Sequence, residues 1–271
     1  MKGKKVNNED LIKSLQKQQK ELEQSLQYAS YIQQSLFPKV SELKHIFPDS
    51  FMLFMPRDIV SGDFYWIHRE KDKIILAIGD STGHGVPGAF LSILGISFLN
   101  LVVSKYPISS AAFVLNNLRE YLMKALDQTG KEYEQKDGID MALCIIDPKN
   151  KTVQFAGAFN PVYIIRDTVI HQFEGDKMPI GVAAEYEESF KNYVFKIQEN
   201  DMLYLFTDGF PDQFGGPNEK KYKYKRFREL LIKCSLQPTF VQEETLSNEF
   251  FQWKGDQPQL DDVTIFGIRF T

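Results

Sequence analysis

KIILAIGDSTGHGVPG, residues 73–88, passes from an apolar run through a glycine-rich turn into an apolar helix. Residues 74–78 have the length and β-branched content of a buried strand. The run stops at Gly79-Asp80; Gly83, Gly85 and Gly88 punctuate the turn, and a helix begins near Pro87. A carboxylate at the tip of a buried strand, facing a flexible loop, is placed to hold a cation. A lone Asp there is as readily a turn cap, so the reading depends on other carboxylates joining it.

Two rival readings of the stretch fail. GHGVPG (83–88) matches G-x-G-x-x-G, but a dinucleotide site needs a second parallel strand ending in an acid about 20 residues on. No Asp or Glu occurs between Ser81 and Arg119, and the next element reads as another helix. A phosphate-binding Walker loop is excluded because no GK[ST] is present. The 81–104 segment also lacks Asp, Glu, Lys and Arg, which raises the question of a membrane span. Pro87, Gly88, Ser92, Gly95, Ser97 and Asn100 interrupt it, so a helix buried inside a folded domain is expected, with no membrane insertion.

Bulk properties narrow the class. The chain has 271 residues, 43% of them hydrophobic, enough for a sizeable core. A net charge of -4 argues against a nucleic-acid partner. Cys144 and Cys234 stand alone, and the beginning MKGKKVNNEDL has no apolar signal region, so a cytoplasmic setting is expected.

Outward from the opening stretch, residues 9–37 read as one helix with no Gly or Pro before Pro38. Leu15, Leu22, Ala29 and Leu36 fall seven apart, with Leu11 and Ile32 at the offset positions and Gln18 and Ser25 as polar flaws in the seam. This predicts a coiled-coil stalk over 9–27, a homodimer through it, and packing on the domain over 28–36. Residues 38–49 read as a connector. Strands are expected at 51–55, 64–68, 74–78, 141–146, 152–156, 162–165, 169–173, 189–197, 202–206 and 263–270. Helices are expected at 87–104, 109–128, 225–234 and 238–253, with a polar loop at 127–138 and another at 207–219. The pattern is α+β: antiparallel sheets covered by helices. It divides the chain into an N-terminal helical segment, 1–37, and one domain, 38–271.

Four acidic positions then fall at strand tips. Asp80 and Asp208 follow strands; Asp63 and Asp261-Asp262 precede them. In an antiparallel sheet the ends of strands running one way adjoin the starts of those running the other, so all four converge on one edge. Clustered carboxylates cannot ionise together without a counter-charge. Hard divalent cations such as Mg²⁺ or Mn²⁺ supply it, and two of them can clamp a phosphoryl group for in-line displacement. His45, His68, His84 and His171 are the only histidines, and none sits in a nucleophile motif.

PRDIVSGDFYW (56–66), AIGDSTGHGVPGAFLS (77–92), LYLFTDGFPDQF (203–214) and LDDVTIFGIRF (260–270), with YIQQSLFP (31–38) ahead of them, resemble the PPM-type metal-dependent serine/threonine phosphatases of the bacterial SpoIIE-like branch. The resemblance covers about residues 28–271. It implies an αββα sandwich with two Mn²⁺ or Mg²⁺ ions and a metal-bridging hydroxide as nucleophile. It implies that Asp80 bridges the ions, the Ser81 carbonyl joins one, Asp63 acts through bound water, and Asp208 and Asp261 hold the other, with Asp262 a second-ranked ligand. Ser61, Ser81 and GAFNP (157–161) depart from the commoner family pattern without removing a carboxylate. His84 lies four residues past Asp80, unlike the catalytic His of eukaryotic relatives, and is not expected to act as general acid. Arg57, six residues before Asp63, suits a bidentate grip on substrate phosphate. Lys220, Lys221, Lys223, Lys225, Arg226 and Arg228 form a basic run suited to an acidic phosphoprotein. The implied substrate is a phosphorylated regulator of the anti-sigma-antagonist type. A catalytically silent interaction module is the alternative.

Overall fold

The structure, a computed structural model, describes residues 8–131, 136–182 and 189–271. Residues 1–7 of the N-terminal segment and 132–135 of the polar loop lie outside the described residues.

Helix α1 (Asn8–Leu36) ends just before Pro38, whose ring cannot continue a helix. The expected connector instead holds a short helix, α2 (Val40–Ile46), which buries Leu43. Seven residues carry too little periodicity to be seen in sequence. Strands β1 (Ser50–Met55), β2 (Asp63–Glu70) and β3 (Lys73–Ser81) follow. Helices α3 (Gly85–Lys105) and α4 (Ala111–Ala125) come next, the latter capped by the Ser110 hydroxyl accepting from the Phe113 N–H. Then come β4 (Gly138–Asp147), β5 (Thr152–Ala158), β6 (Val162–Arg166), β7 (Val169–Phe173), β8 (Ile180–Gly181), β9 (Tyr193–Lys196) and β10 (Met202–Phe206). The strand expected at 189–197 shortens to the four residues of β9. The expected 207–219 loop carries α5 (Gly209–Asp212) and β11 (Phe214–Gly215), which pairs with β12 (Lys220–Lys221). Helices α6 (Tyr224–Ser235) and α7 (Thr239–Lys254) precede the last strand, β13 (Val263–Arg269).

Two antiparallel sheets form the centre. One runs β1-β13-β10-β6-β7; the other runs β2-β3-β4-β5-β9, with β8 on β4. Helices α3 and α4 cover the second sheet, and α6 and α7 cover the first. This is the αββα sandwich the resemblance implies. Both neighbours of β3 run antiparallel to it, so no dinucleotide-binding βαβ unit exists at this point.

Side-chain alternation assigns each strand a face. In β10, Met202, Tyr204 and Phe206 join Phe227, Leu231 and Phe250 under α6 and α7, while Leu203 and Leu205 turn toward the other sheet. In β13, Val263 and Ile265 face the helices; Phe266 and Ile268 face inward. Thr207 and Thr264 thereby fall on the inward set, a placement the site uses. Helix α3 is long and apolar enough to cross a membrane, yet half of it is buried in this fold, against β2, β3 and α4.

Helix α1 behaves as two pieces. Residues 8–25 are exposed throughout, with Leu11, Leu15 and Leu22 at 48%, 55% and 61%. Its last turns bury Ser30 and Gln33, and Phe37 just beyond packs 5.1 Å from Tyr65. Burying one such ring stabilises the docking by about 1.5–3 kcal/mol. The docked stripe is offset from the heptad seam, which leaves Ile32 and Leu36 facing solvent together with the upstream leucines. Gln33 donates to the Ser61 carbonyl (2.6 Å) and to Ser92 Oγ (2.8 Å), and accepts from the Ser61 N–H (3.1 Å). One buried amide thus ties α1 to α3 and to the loop that delivers Asp63.

Candidate metal centre

Strand register builds half of the site. Asp63 on β2 pairs with Asp80 on β3, and Asp80 pairs with Asp140 on β4. Residues directly opposite one another share a sheet face with Cβ atoms about 4.5–5.5 Å apart. The three carboxylates therefore form a row across three strands, on the face turned toward the other sheet. The strands reach further than sequence suggested: Asp63 and Asp80 lie within them rather than beyond their tips.

The other sheet answers with hydroxyls and loops. Thr207 and Thr264 donate to the same oxygen of Asp63, Oδ2, at 2.7 and 2.6 Å. Asp208 follows β10, and Asp261 precedes β13. Their loops touch backbone to backbone: a Cβ at Gly209 would stand 1.9 Å from the Asp262 carbonyl oxygen, so only glycine fits there. Asp262 accepts from the Arg57 N–H at one oxygen and from the Gly62 N–H at the other, both at 2.7 Å. It pins the β1–β2 loop in place, which is a positioning task. Ser81 is buried beside the row, with its N–H on the Gly62 carbonyl (3.3 Å).

Burial and mutual repulsion raise every member of the cluster. Desolvation pushes Asp80 well above the ordinary carboxylate range, and Asp63, Asp208, Asp261 and Asp140 each add to the rise. Asp63 is raised by burial despite its two hydroxyl donors. Asp140 is pushed to about 7 by burial and by Asp208. Asp208 reaches about 6 by burial and by Asp261, and Asp261 is raised by burial in turn. The four acids picked from sequence are therefore brought together, and a fifth joins them. Asp140 was missed because the strand was expected to start at Met141. Its signal was the one Asp63 gave: an acid at the head of an apolar run antiparallel to β3.

The residues fit a divalent metal centre. Asp63 Oδ1 is fully buried and, among the described residues, has no hydrogen-bond partner, an orphaned carboxylate acceptor. The donors are oxygens throughout, the chemistry of Mg²⁺ and Mn²⁺. Among the described residues no group of three or more Asp, Glu, His or Cys side chains is already closed around a single ion position. Ions of the Mg²⁺ type keep several waters and take one or two carboxylates each, so acids spread over two facing sheets suit them.

Around the mouth, Arg57 is exposed and donates through Nη1 to the Leu260 carbonyl (2.8 Å), next to Asp261. His84 Nδ1 lies 3.2 Å from Asp58 Oδ2, and Arg57 Nε lies 3.9 Å from that same oxygen. Within the basic run, Lys221 pairs with Asp212 (2.7 Å), and Arg226 stacks on Trp253, 4.4 Å from the ring centroid. Those two are engaged locally; Lys220, Lys223 and Lys225 are exposed.

Two antiparallel sheets between helix pairs, closing on an all-carboxylate centre, define the PPM class of protein phosphatases. The chain belongs to the stage II sporulation protein E (SpoIIE) family, whose model matches residues 70–271. A curated relative, phosphoserine phosphatase RsbU of Bacillus subtilis (strain 168), is 24% identical over 197 residues, 70% of this chain and 54% of the relative. The chain thus spans about half the length of that relative. The SiaA-PP2C domain of Pseudomonas aeruginosa matches at 28% identity with a TM-score of 0.85, over 93% of this chain and 98% of that one. The PP2C phosphatase domain with a regulatory-domain fragment of SpoIIE from Bacillus subtilis matches at 18% identity and TM-score 0.65, over 82% and 63%; it shares the fold.

Proposed function

We propose that this chain is a metal-dependent phosphoserine/phosphothreonine phosphatase acting in the cytoplasm on a phosphorylated regulatory protein of the anti-sigma-antagonist type. The observation that carries the reading is the convergence of Asp63, Asp80, Asp208 and Asp261, with Asp63 Oδ1 left without a partner among the described residues. The curated relative named a phosphoserine phosphatase supports the substrate class.

Two Mn²⁺ or Mg²⁺ ions would neutralise the acids, activate water and polarise the phosphoryl oxygens. Asp80 would serve both ions, the Ser81 carbonyl would join one, and Asp208 and Asp261 would hold the other. Asp63 acts from one buried oxygen, its other oxygen being held by Thr207 and Thr264. Asp262 holds the loop that carries Arg57. Arg57, anchored to Leu260, keeps guanidinium donors for a substrate phosphate at the mouth. The unpartnered leucine seam of α1 suits a second copy of this chain, giving a homodimer through the stalk.

The test is hydrolysis of a phosphoserine regulator by the purified chain with Mn²⁺. Phosphate release that stops on chelation is expected. No turnover with either ion, on protein or aryl phosphate, refutes the reading.

A further inference from the structure

The segments around the carboxylate centre carry large apolar side chains on their outer side. The loop before Asp63 exposes Ile59, the first turns of α3 expose Val86 and Phe90, and the loop before Asp261 exposes Leu260. Phe90 is the extreme, at 65%. Single apolar residues scattered over a surface mean little, whereas a contiguous patch marks an interaction site.

Hydrogen bonds draw these segments into one patch. Arg57 donates from Nη1 to the Leu260 carbonyl at 2.8 Å, and its N–H donates to Asp262 Oδ1 at 2.7 Å, joining the β1–β2 loop to the loop before β13. The next residue makes the second join: Asp58 Oδ2 lies 3.2 Å from His84 Nδ1 and 3.5 Å from where a Cβ at Gly85 would stand. Ile59 follows directly. At the far end of that loop, a Cβ on Gly62 would stand 2.8 Å from the Gly83 carbonyl oxygen, so backbone meets backbone there too.

The patch continues away from the mouth along α3. Val86, Phe90, Ser97 and Leu101 are spaced 4, 7 and 4 residues apart, one stripe of a helix, and all four are exposed. From Val86 to Leu101 the stripe runs about 22 Å. The flanks of the helix are taken: Ser92 meets Gln33 of α1 at 2.8 Å, and Phe98 stacks on Tyr121 of α4 at 5.9 Å. No Asp, Glu, Lys or Arg occurs from Thr82 to Ser104, so a charged partner surface finds nothing to pair with on this helix. What covers the patch follows from what it borders. A protein that brings a phosphate to the mouth beside Arg57 lays the surface around that phosphate on Ile59, Val86 and Leu260.

Resting on the phosphatase reading above, we propose that Ile59, Val86, Phe90 and Leu260 form the surface that selects the substrate, a phosphoprotein whose phosphoserine sits in an apolar face. Selection is by burial around the phosphate rather than by the basic run at 220–228, of which Lys221 and Arg226 are already engaged with Asp212 and Trp253.

The probes are two synthetic phosphoserine peptides, one flanked by Leu and Phe and one by Asp and Glu, with p-nitrophenyl phosphate as a substrate that has no flank, all at saturating Mn²⁺. Wild-type turnover of p-nitrophenyl phosphate establishes the phosphatase reading by itself; no turnover of any of the three removes that reading and this proposal together. The wild type is expected to favour the apolar peptide over the acidic one by about 10-fold in kcat/KM. The double variant Val86→Ser, Phe90→Ser should bring that preference down to about twofold, through a higher KM for the apolar peptide. Both side chains are exposed, so the fold tolerates their replacement. A wild type that prefers the acidic peptide, or a variant that keeps the wild-type preference, overturns the assignment. So does an equal loss on all three substrates, which would make Val86 and Phe90 supports of the centre. A solution mass that halves in the double variant gives the face to a second copy of this chain and overturns the assignment as well.

Discussion

The two sheets serve one centre by different means. The six-stranded sheet supplies carboxylates from inside strands: Asp63, Asp80 and Asp140 sit at paired positions whose spacing the backbone ladder fixes. The five-stranded sheet supplies hydroxyls from the inward face of its strands, Thr207 just past β10 and Thr264 in β13, and carboxylates from its loops, Asp208 and Asp261. Strand-borne acids stand on one side and loop-borne acids on the other. In the proposed metal-loaded centre the row would set where the ions sit, and the loop acids how well they are held.

The largest expected effect breaks the row. Asp80→Asn should lower kcat by at least about 100-fold, or about 2.7 kcal/mol of transition-state stabilisation. Asp208→Asn should lose comparably in rate, but excess Mn²⁺ should recover part of its loss because its loop can adjust. Steady-state rates across a Mn²⁺ titration separate the two. Near-normal rates in both variants would remove the proposed centre, and equal recovery in both would erase the contrast between strand and loop.

The row was half visible in sequence for a physical reason. Asp63 and Asp80 flank apolar runs of plain strand length, so their meeting followed from antiparallel geometry alone. Asp140 follows Gly138 and Ile139 at the end of a polar loop, so the apolar run reads as starting at Met141, one residue past the acid that heads it. Thr207 and Thr264 were hidden differently: their inward placement needs the strand's facing, which only the helices on the other side decide. Helix α2 is too short to carry a period. Helix α1 was legible because 29 residues of continuous pattern are hard to mistake. The offset between its seam and its docked stripe was not, since that depends on Gln33 finding Ser61 and Ser92 far along the chain.

A second effect sharpens the electrostatic side of the comparison. Asp140 and Asp208 titrate in the folded chain at about 7 and about 6, against an ordinary value of 3.8. A carboxyl raised by folding binds more protons folded than unfolded, so its contribution is full below about 4 and lost as pH rises through its folded value. The metal-free chain should therefore melt lower at pH 8 than at pH 5, by about 5 °C. Mn²⁺ should recover the difference at pH 8. Asp140→Asn should flatten the slope without metal. Thermal scans of chelated protein at the two values decide it, and a melting temperature that rises with pH contradicts the charged row.

The smallest effect on the domain itself comes from the far end of α1. Residues 8–25 are exposed throughout, so deleting residues 1–27 should shift the melting temperature by no more than about 2 °C. Two other quantities should move. Solution mass should fall from dimer to monomer, because Leu11, Leu15 and Leu22 are removed from the seam. The Mn²⁺ concentration giving half-maximal rate should shift by about threefold, through Gln33, which stays in the truncated chain with one hydrogen bond to α3 and two to the loop before Asp63. In the proposed dimer a partner would constrain the angle of α1; in the monomer that angle would be free, and Asp63 would feel the change through Ser61. Light scattering and a metal titration on the truncated chain read both. If neither moves, α1 up to residue 27 is a passive lead, and the docked turns around Gln33 hold the domain in one state with or without the stalk.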